Sequence, residues 1–152
     1  MRNAKLAVGA VLGAVLAMGG CSGYHLQGRV VSGDVSYIAV VDPDDPRLQD
    51  GAGLPGVSLH LQSDPGRLNR KTAGRAVSGA AGEVNVPVDL TGAGLLEYDV
   101  GLFARRSGYD PATGFFSLPS SRKRVLIVMA KGKDYDLGEE REDLTGQAEL
   151  YR

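Results

Sequence analysis

Val57-Ser58-Leu59-His60-Leu61-Gln62 is a run in which every second side chain is apolar. A chain with two residues per repeat puts Val57, Leu59 and Leu61 on one side and Ser58, His60 and Gln62 on the other, which describes a half-buried strand. The same alternation returns along the chain. Leu26, Gly28 and Val30 oppose Gln27 and Arg29, while Val84, Val86 and Val88 oppose Glu83, Asn85 and Asp89. Tyr98, Val100, Leu102 and Ala104 form a further face, opposite Asp99 and Arg105. Two segments, Ile38–Val41 and Val125–Ala130, are apolar throughout and read as strands covered on both sides.

The connections fit short strands. Asp42-Pro43-Asp44-Asp45-Pro46 cannot extend a strand, because proline has no amide donor and restricts the residue before it. Leu54-Pro55-Gly56, Ser78-Gly79-Ala80-Ala81-Gly82, Gly92-Ala93-Gly94 and Ser107-Gly108-Tyr109 carry turn residues. The expectation is an all-β protein, a single antiparallel β-sandwich of about seven strands. No internal repeat and no coiled-coil period is present.

The start of the chain has a different character. Arg2 and Lys5 precede a thirteen-residue apolar run from Leu6 to Met18, which ends in Gly19-Gly20-Cys21. A basic start, an apolar stretch and a small-residue site are the parts of a secretory signal. Cys21, the only cysteine, directly follows the small residues, and this resembles a bacterial lipoprotein signal. The resemblance implies that the Cys21 thiol is lipidated and becomes the first residue of the mature chain. Met18 stands where such signals commonly have leucine. Leu6–Gly20 is fifteen residues, short of the roughly 20 needed for a spanning helix.

The expected division is therefore a signal at 1–20, a lipidated tether at 21–23, a β-sandwich at 24–132 and an acidic, weakly structured tail at 133–152. The mature chain of 132 residues holds 15 basic and 18 acidic side chains, a net charge near −3. That is one domain in size, with enough chain to bury a core without a disulfide. By the usual sorting rule, Ser22 after the anchor directs such a lipoprotein to the outer membrane of a cell with two membranes. A net acidic, exported chain argues against nucleic acid as a partner.

Several pieces of the middle resemble the carboxypeptidase regulatory-like domain, a small sandwich of the transthyretin-like (prealbumin-like) class. They are Gly28-Arg29-Val30, then Leu54-Pro55-Gly56-Val57-Ser58-Leu59-His60-Leu61 and Ser78-Gly79-Ala80-Ala81-Gly82-Glu83-Val84. Tyr98-Asp99-Val100-Gly101-Leu102-Phe103-Ala104 with Gly108-Tyr109, and Val125–Ala130, complete the set. The Ser36–Gly53 stretch is extra to that pattern, and Val84 stands where the family usually has an aromatic residue. The resemblance implies a non-catalytic binding, spacer or assembly role in the cell envelope. The expected partners are the membrane, through the acyl chains that the lipoprotein resemblance implies on Cys21, and an unidentified envelope protein or polymer.

Catalytic motifs are weak. The 5-hydroxyisourate hydrolases share the fold class and close on Tyr-Arg-Gly-Ser, whereas this chain has Leu150-Tyr151-Arg152. His25 and His60 are the only imidazoles, and a hydrolase would need them near Arg152. There is no Gly-x-Ser-x-Gly elbow and no phosphate-binding glycine loop. Asp42, Asp44, Asp45 and Asp50 offer oxygens of the kind calcium takes, but not at the spacing of an EF-hand, so a solvated acidic turn is expected. One cysteine and two separated histidines make no zinc site, and no cofactor is expected.

Charge is uneven. Residues 67–124 hold nine basic and five acidic groups, whereas residues 21–66 hold two and six. Arg105, Arg106, Arg122, Lys123 and Arg124 are the candidate anion-binding residues, if the fold gathers them on one end; otherwise they are solvated turn residues. Tyr37, Tyr98, Tyr109, Phe115 and Phe116 could line a sugar site, although packing accounts for most such rings.

Overall fold

The structure, a computed structural model, describes residues 23–132. The expected signal, Cys21 with Ser22, and the expected acidic tail at 133–152 lie outside the described residues. Eight strands follow in order: β1 (His25–Gly33), β2 (Tyr37–Val41), β3 (Ser58–Ser63), β4 (Lys71–Val77), β5 (Glu83–Pro87), β6 (Asp99–Arg105), β7 (Ala112–Ser117) and β8 (Arg124–Ala130). They form two four-stranded sheets, β2-β8-β1-β5 and β4-β3-β6-β7. The expected β-sandwich is what these residues build.

The alternating runs explain the core. Leu26, Val30, Leu59, Leu61, Val84, Val86, Val100 and Leu102 each turn inward and are buried in one continuous cluster between the sheets. Burying side chains of this size is worth about 1.5–3 kcal/mol each, so the period-two pattern fixes which face of every strand looks inward. At one edge β7 and β2 approach so closely that a Cβ at Gly114 would lie 2.7 Å from the Ile38 Cβ. At the other edge the Asp89 amide donates to the Ala73 carbonyl across the gap between β5 and β4 (2.7 Å).

Three features differ from the expected pattern. The pairing is antiparallel except between β1 and β8, which run parallel. The chain crosses from one sheet to the other between Ser117 and Arg124, so β8 enters beside the start of β1 and runs alongside it. Next, Ile38–Val41 is not covered on both sides. It belongs to an edge strand with a single neighbour, and Val40 is 37% exposed. Finally, β4 and β7 occupy stretches without a marked apolar alternation.

Val125–Ala130 is buried from end to end, and the Ser36–Gly53 stretch shows why. The first part of that stretch is β2, and the remainder, residues 42–53, folds back over the outside of the first sheet as a flap. Leu48, Val41 and Ala39 pack there against Val31, Leu126 and Val128 in a second small cluster. Asp45 caps the flap's single 3-10 turn, Pro46–Leu48, by accepting from the Arg47 amide (3.0 Å), and Pro46 suits the first position of the turn. Arg29 clamps the flap by donating from Nη1 to the Leu48 carbonyl (2.6 Å) and from Nε to the Ala81 carbonyl (3.1 Å).

Candidate functional site

The outer face of the first sheet is largely occupied by the flap. Among the described residues nothing covers the outer face of the second sheet, and its composition is unusual. Arg75 of β4, His60 of β3, Phe103 of β6 and Thr113 of β7 stand side by side in register. On one side of that row lie Val77, Ser58 and Arg105, and on the other Gln62, Gly101 and Phe115. All of them point outward because they alternate with inward residues such as Leu59, Leu61 and Leu102.

The aromatic groups form a ladder across the strands. The His60 and Phe103 rings lie 6.4 Å apart, and the Phe115 ring meets Phe103 edge-on at 6.0 Å. These separations are typical of attractive ring pairs. Gly101 makes room for the ladder, since a Cβ there would come within 3.0 Å of Phe115 Cε1. Phe115 is nevertheless 66% exposed and Val77 64% exposed. His60, Phe103 and Val77, together with Arg70, Arg75 and Arg105, border a shallow depression of about 770 Å³, and Phe115 stands beside it against Phe103.

Its charge is positive. Arg47, Arg67 and Lys123 each have a carboxylate within 4.0 Å, whereas Arg75 and Arg105 have no such partner among the described residues. The field acts on His60, whose Nε2 lies 3.0 Å from Thr72 Oγ1. Partial burial, aided by the Arg75 and Arg105 guanidinium groups, holds its pKa below the usual 6.5. The unfolded chain therefore takes up the proton first. The contribution of His60 to stability is complete above pH 6.5 and declines as pH falls through that value toward the folded pKa. Proton NMR of the His60 ring is expected to show a midpoint below 6.5 that rises in Arg75→Gln and in Arg105→Gln. An unchanged midpoint in both variants would show that the arginines do not act on the ring.

The five candidate anion-binding residues are not brought together. Arg105 ends β6 and Arg106 follows it, with its guanidinium over the Tyr109 ring at 5.2 Å. Arg122, Lys123 and Arg124 lead into β8 at the opposite end of the sandwich. There Lys123 donates to Asp42 Oδ1 (2.6 Å), and Arg124 donates to the Ser121 and Lys123 carbonyls. Nor do the acidic residues of the flap converge. Asp42 faces Lys123, and Asp45 is held below the usual carboxylate range by its hydrogen bond from Arg47. Among the described residues no group of three or more His, Cys, Asp or Glu side chains is arranged to hold a metal ion.

His25 and His60 lie on opposite outer faces. His25 alternates with buried Leu26 in the first sheet and pairs with Asn85 Oδ1 (2.9 Å), while His60 alternates with Leu59 and Leu61 in the second. They cannot share a bound water, and Arg152 lies outside the described residues. Of the rings considered for a sugar site, Tyr98, Tyr109 and Phe116 pack against the core and Phe115 faces outward.

Reading the sequence missed Phe103 and Arg75 as members of a surface. The signal for Phe103 was its place between Leu102 and Ala104, which puts an aromatic ring on the outward side of a strand. Arg75 carried no comparable mark, because β4 itself is not evident in the sequence. Comparison with family models, with curated proteins and with solved structures gives no match for this chain.

Proposed function

We propose that this chain is a lipid-anchored protein of the cell envelope, whose β-sandwich serves as a non-catalytic interaction module. The observation that carries the reading is the lone Cys21, directly after Gly19-Gly20 at the end of an apolar run. Two or more acyl chains at this position would hold the protein on a membrane, since a single chain binds only marginally.

The start of the domain supports this arrangement. Tyr24 follows the cysteine by three residues, so at about 3.6 Å per residue the two are within about 11 Å of each other. The Tyr24 side chain packs against the core, and its hydroxyl donates to the Pro119 carbonyl (2.5 Å). Burial raises its pKa despite the nearby Arg124. A domain fixed so close to its anchor would hold the end bearing Tyr24 toward the membrane and leave the second sheet's outer face accessible from the side. An interaction role agrees with the placement of His25 and His60 on opposite faces, and with a surface of rings and of arginines that have no carboxylate partner among the described residues.

Intact mass spectrometry of the protein from its own membranes tests the anchor. The expected mass is residues 21–152 plus an acyl-glyceryl group, and Cys21→Ser is expected to move the protein to the soluble fraction. An unmodified chain, or an N-terminus elsewhere, would overturn the reading.

A further inference from the structure

The outer face of the second sheet holds a combination that stability does not require. Exposed apolar groups gathered beside unpaired cations mark interaction surfaces rather than ordinary solvent-facing sheet. Phe115 and Val77 are more than half exposed, and Arg75 and Arg105 have no carboxylate partner among the described residues. Among the strand residues described on this face the acidic one is Asp99, at its far end, where it accepts from Ser117 Oγ (3.2 Å).

We propose that this face binds an anionic polysaccharide, with Arg75 and Arg105 on its carboxylates and Phe103 and Phe115 against its sugar rings. The inference rests on the envelope reading above, which would put such polymers within reach.

Charge complementarity selects an anion, because the depression is bordered by Arg70, Arg75 and Arg105 and, among the described residues, by no acidic side chain. Shape and chemistry select a glycan among anions. The face is broad and shallow, so it suits a ligand that lies flat. An exposed phenyl ring offers an apolar surface to the C–H groups of a pyranose, while guanidinium binds carboxylate through paired donors. Adjacent strands are about 4.8 Å apart, so Arg75 on β4 and Phe103 on β6 are separated by about 10 Å, the scale of a disaccharide. An extended acidic peptide would instead gain most by pairing with a sheet edge, where backbone groups are open.

Binding of polygalacturonate to the full-length protein in detergent tests the proposal, with neutral dextran and poly-glutamate as comparison polymers. Polygalacturonate is expected to bind, dextran not to bind, and added salt to weaken the complex. The Arg75→Gln/Arg105→Gln double variant is expected to weaken binding about tenfold or more, and Phe115→Ala several-fold. Arg122→Gln, at the other end of the sandwich, is expected to leave binding unchanged. These are surface substitutions, and an unaltered melting temperature confirms that each variant folds.

No binding of polygalacturonate, or binding indifferent to the double variant, overturns the proposal. Equal binding of poly-glutamate without a Phe115→Ala effect also overturns it, and identifies the face as a site for acidic protein. The anchor reading fails separately. A protein without lipid on Cys21 that still binds polygalacturonate through Arg75 and Arg105 would keep the face and lose the anchor.

Discussion

Gly82→Ala is expected to lower the stability of the domain by about 3–4 kcal/mol, which for a domain of this size is a fall in Tm of about 15 °C. Two causes add. Gly82 has φ +81°, where an alanine pays roughly 1–2 kcal/mol of steric strain. A Cβ there would also collide with the Val30 carbonyl oxygen and stand 2.9 Å from the Leu54 amide nitrogen. Both are backbone atoms and neither can swing aside. They are moreover engaged with each other and with Gly82 itself: Val30 N donates to Gly82 O (2.8 Å), and Leu54 N donates to Val30 O (3.0 Å). Relieving the clash would open the junction between β1, the Leu54 turn and the β4–β5 connection. Gly56 provides the control, with φ +72° and nothing within 4 Å of where an alanine methyl would sit. Gly56→Ala is expected to cost only the strain, about 1 kcal/mol. Thermal unfolding followed by circular dichroism measures both. Equal losses would show that strain alone matters and that the close approach at Gly82 does not.

How far the fold is legible in the sequence depends on how much of each strand faces the core. β3, β5 and β6 place bulky aliphatic residues inward at every second position, and the order of residues alone makes that pattern plain. β4 turns Ala73 inward as its most buried residue, and its Arg75 and Thr72 look outward. A strand that contributes so little apolar volume leaves almost no periodic signal. β7 is similar over its first half, with Ala112 and Gly114 in inward positions before Phe116, and Phe115 reverses the usual polarity of the outside. Ile38–Val41 shows the opposite error. A continuous apolar run does not distinguish a central strand from an edge strand that leans on a flap and on the facing sheet.

The candidate surface is legible in the sequence only in fragments. Phe115 stands out as a candidate ring and Arg105 as a candidate cation, while His60 reads as a solvent-facing strand residue. Their meeting depends on the register between β3, β6 and β7, a property of pairing rather than of any one segment. Grouping cations by nearness along the chain instead joins Arg105 to Arg122 and Arg124. In the fold the length of the sandwich separates them, because β6 ends where β8 ends and Arg124 stands where β8 begins.

Ser78→Ala is expected to cost about 3 kcal/mol, although it removes a single oxygen. Ser78 is one of the two buried polar side chains among the described residues, at 5% exposure. Its hydroxyl donates to the Leu54 carbonyl (2.7 Å) and accepts from the Val57 amide (2.9 Å). Its backbone adds two more bonds, from the Ser78 amide to Val57 O and from the Gly56 amide to Ser78 O. The Leu54-Pro55-Gly56-Val57 turn is thus tied to the end of β4 through one residue. Alanine keeps the backbone bonds but strands a donor and an acceptor where water has little access. Each orphaned group costs about 1–3 kcal/mol, more than the bond itself contributes. Ser63, equally buried at 5%, is not part of that bridge, and Ser63→Ala is expected to cost less than about 1 kcal/mol. Urea unfolding gives the two values, and hydrogen exchange gives the cause: the Val57 amide should exchange faster in Ser78→Ala while the Leu61 amide does not. A loss as small as that of Ser63→Ala, with Val57 still protected, would mean that the turn satisfies itself without the hydroxyl.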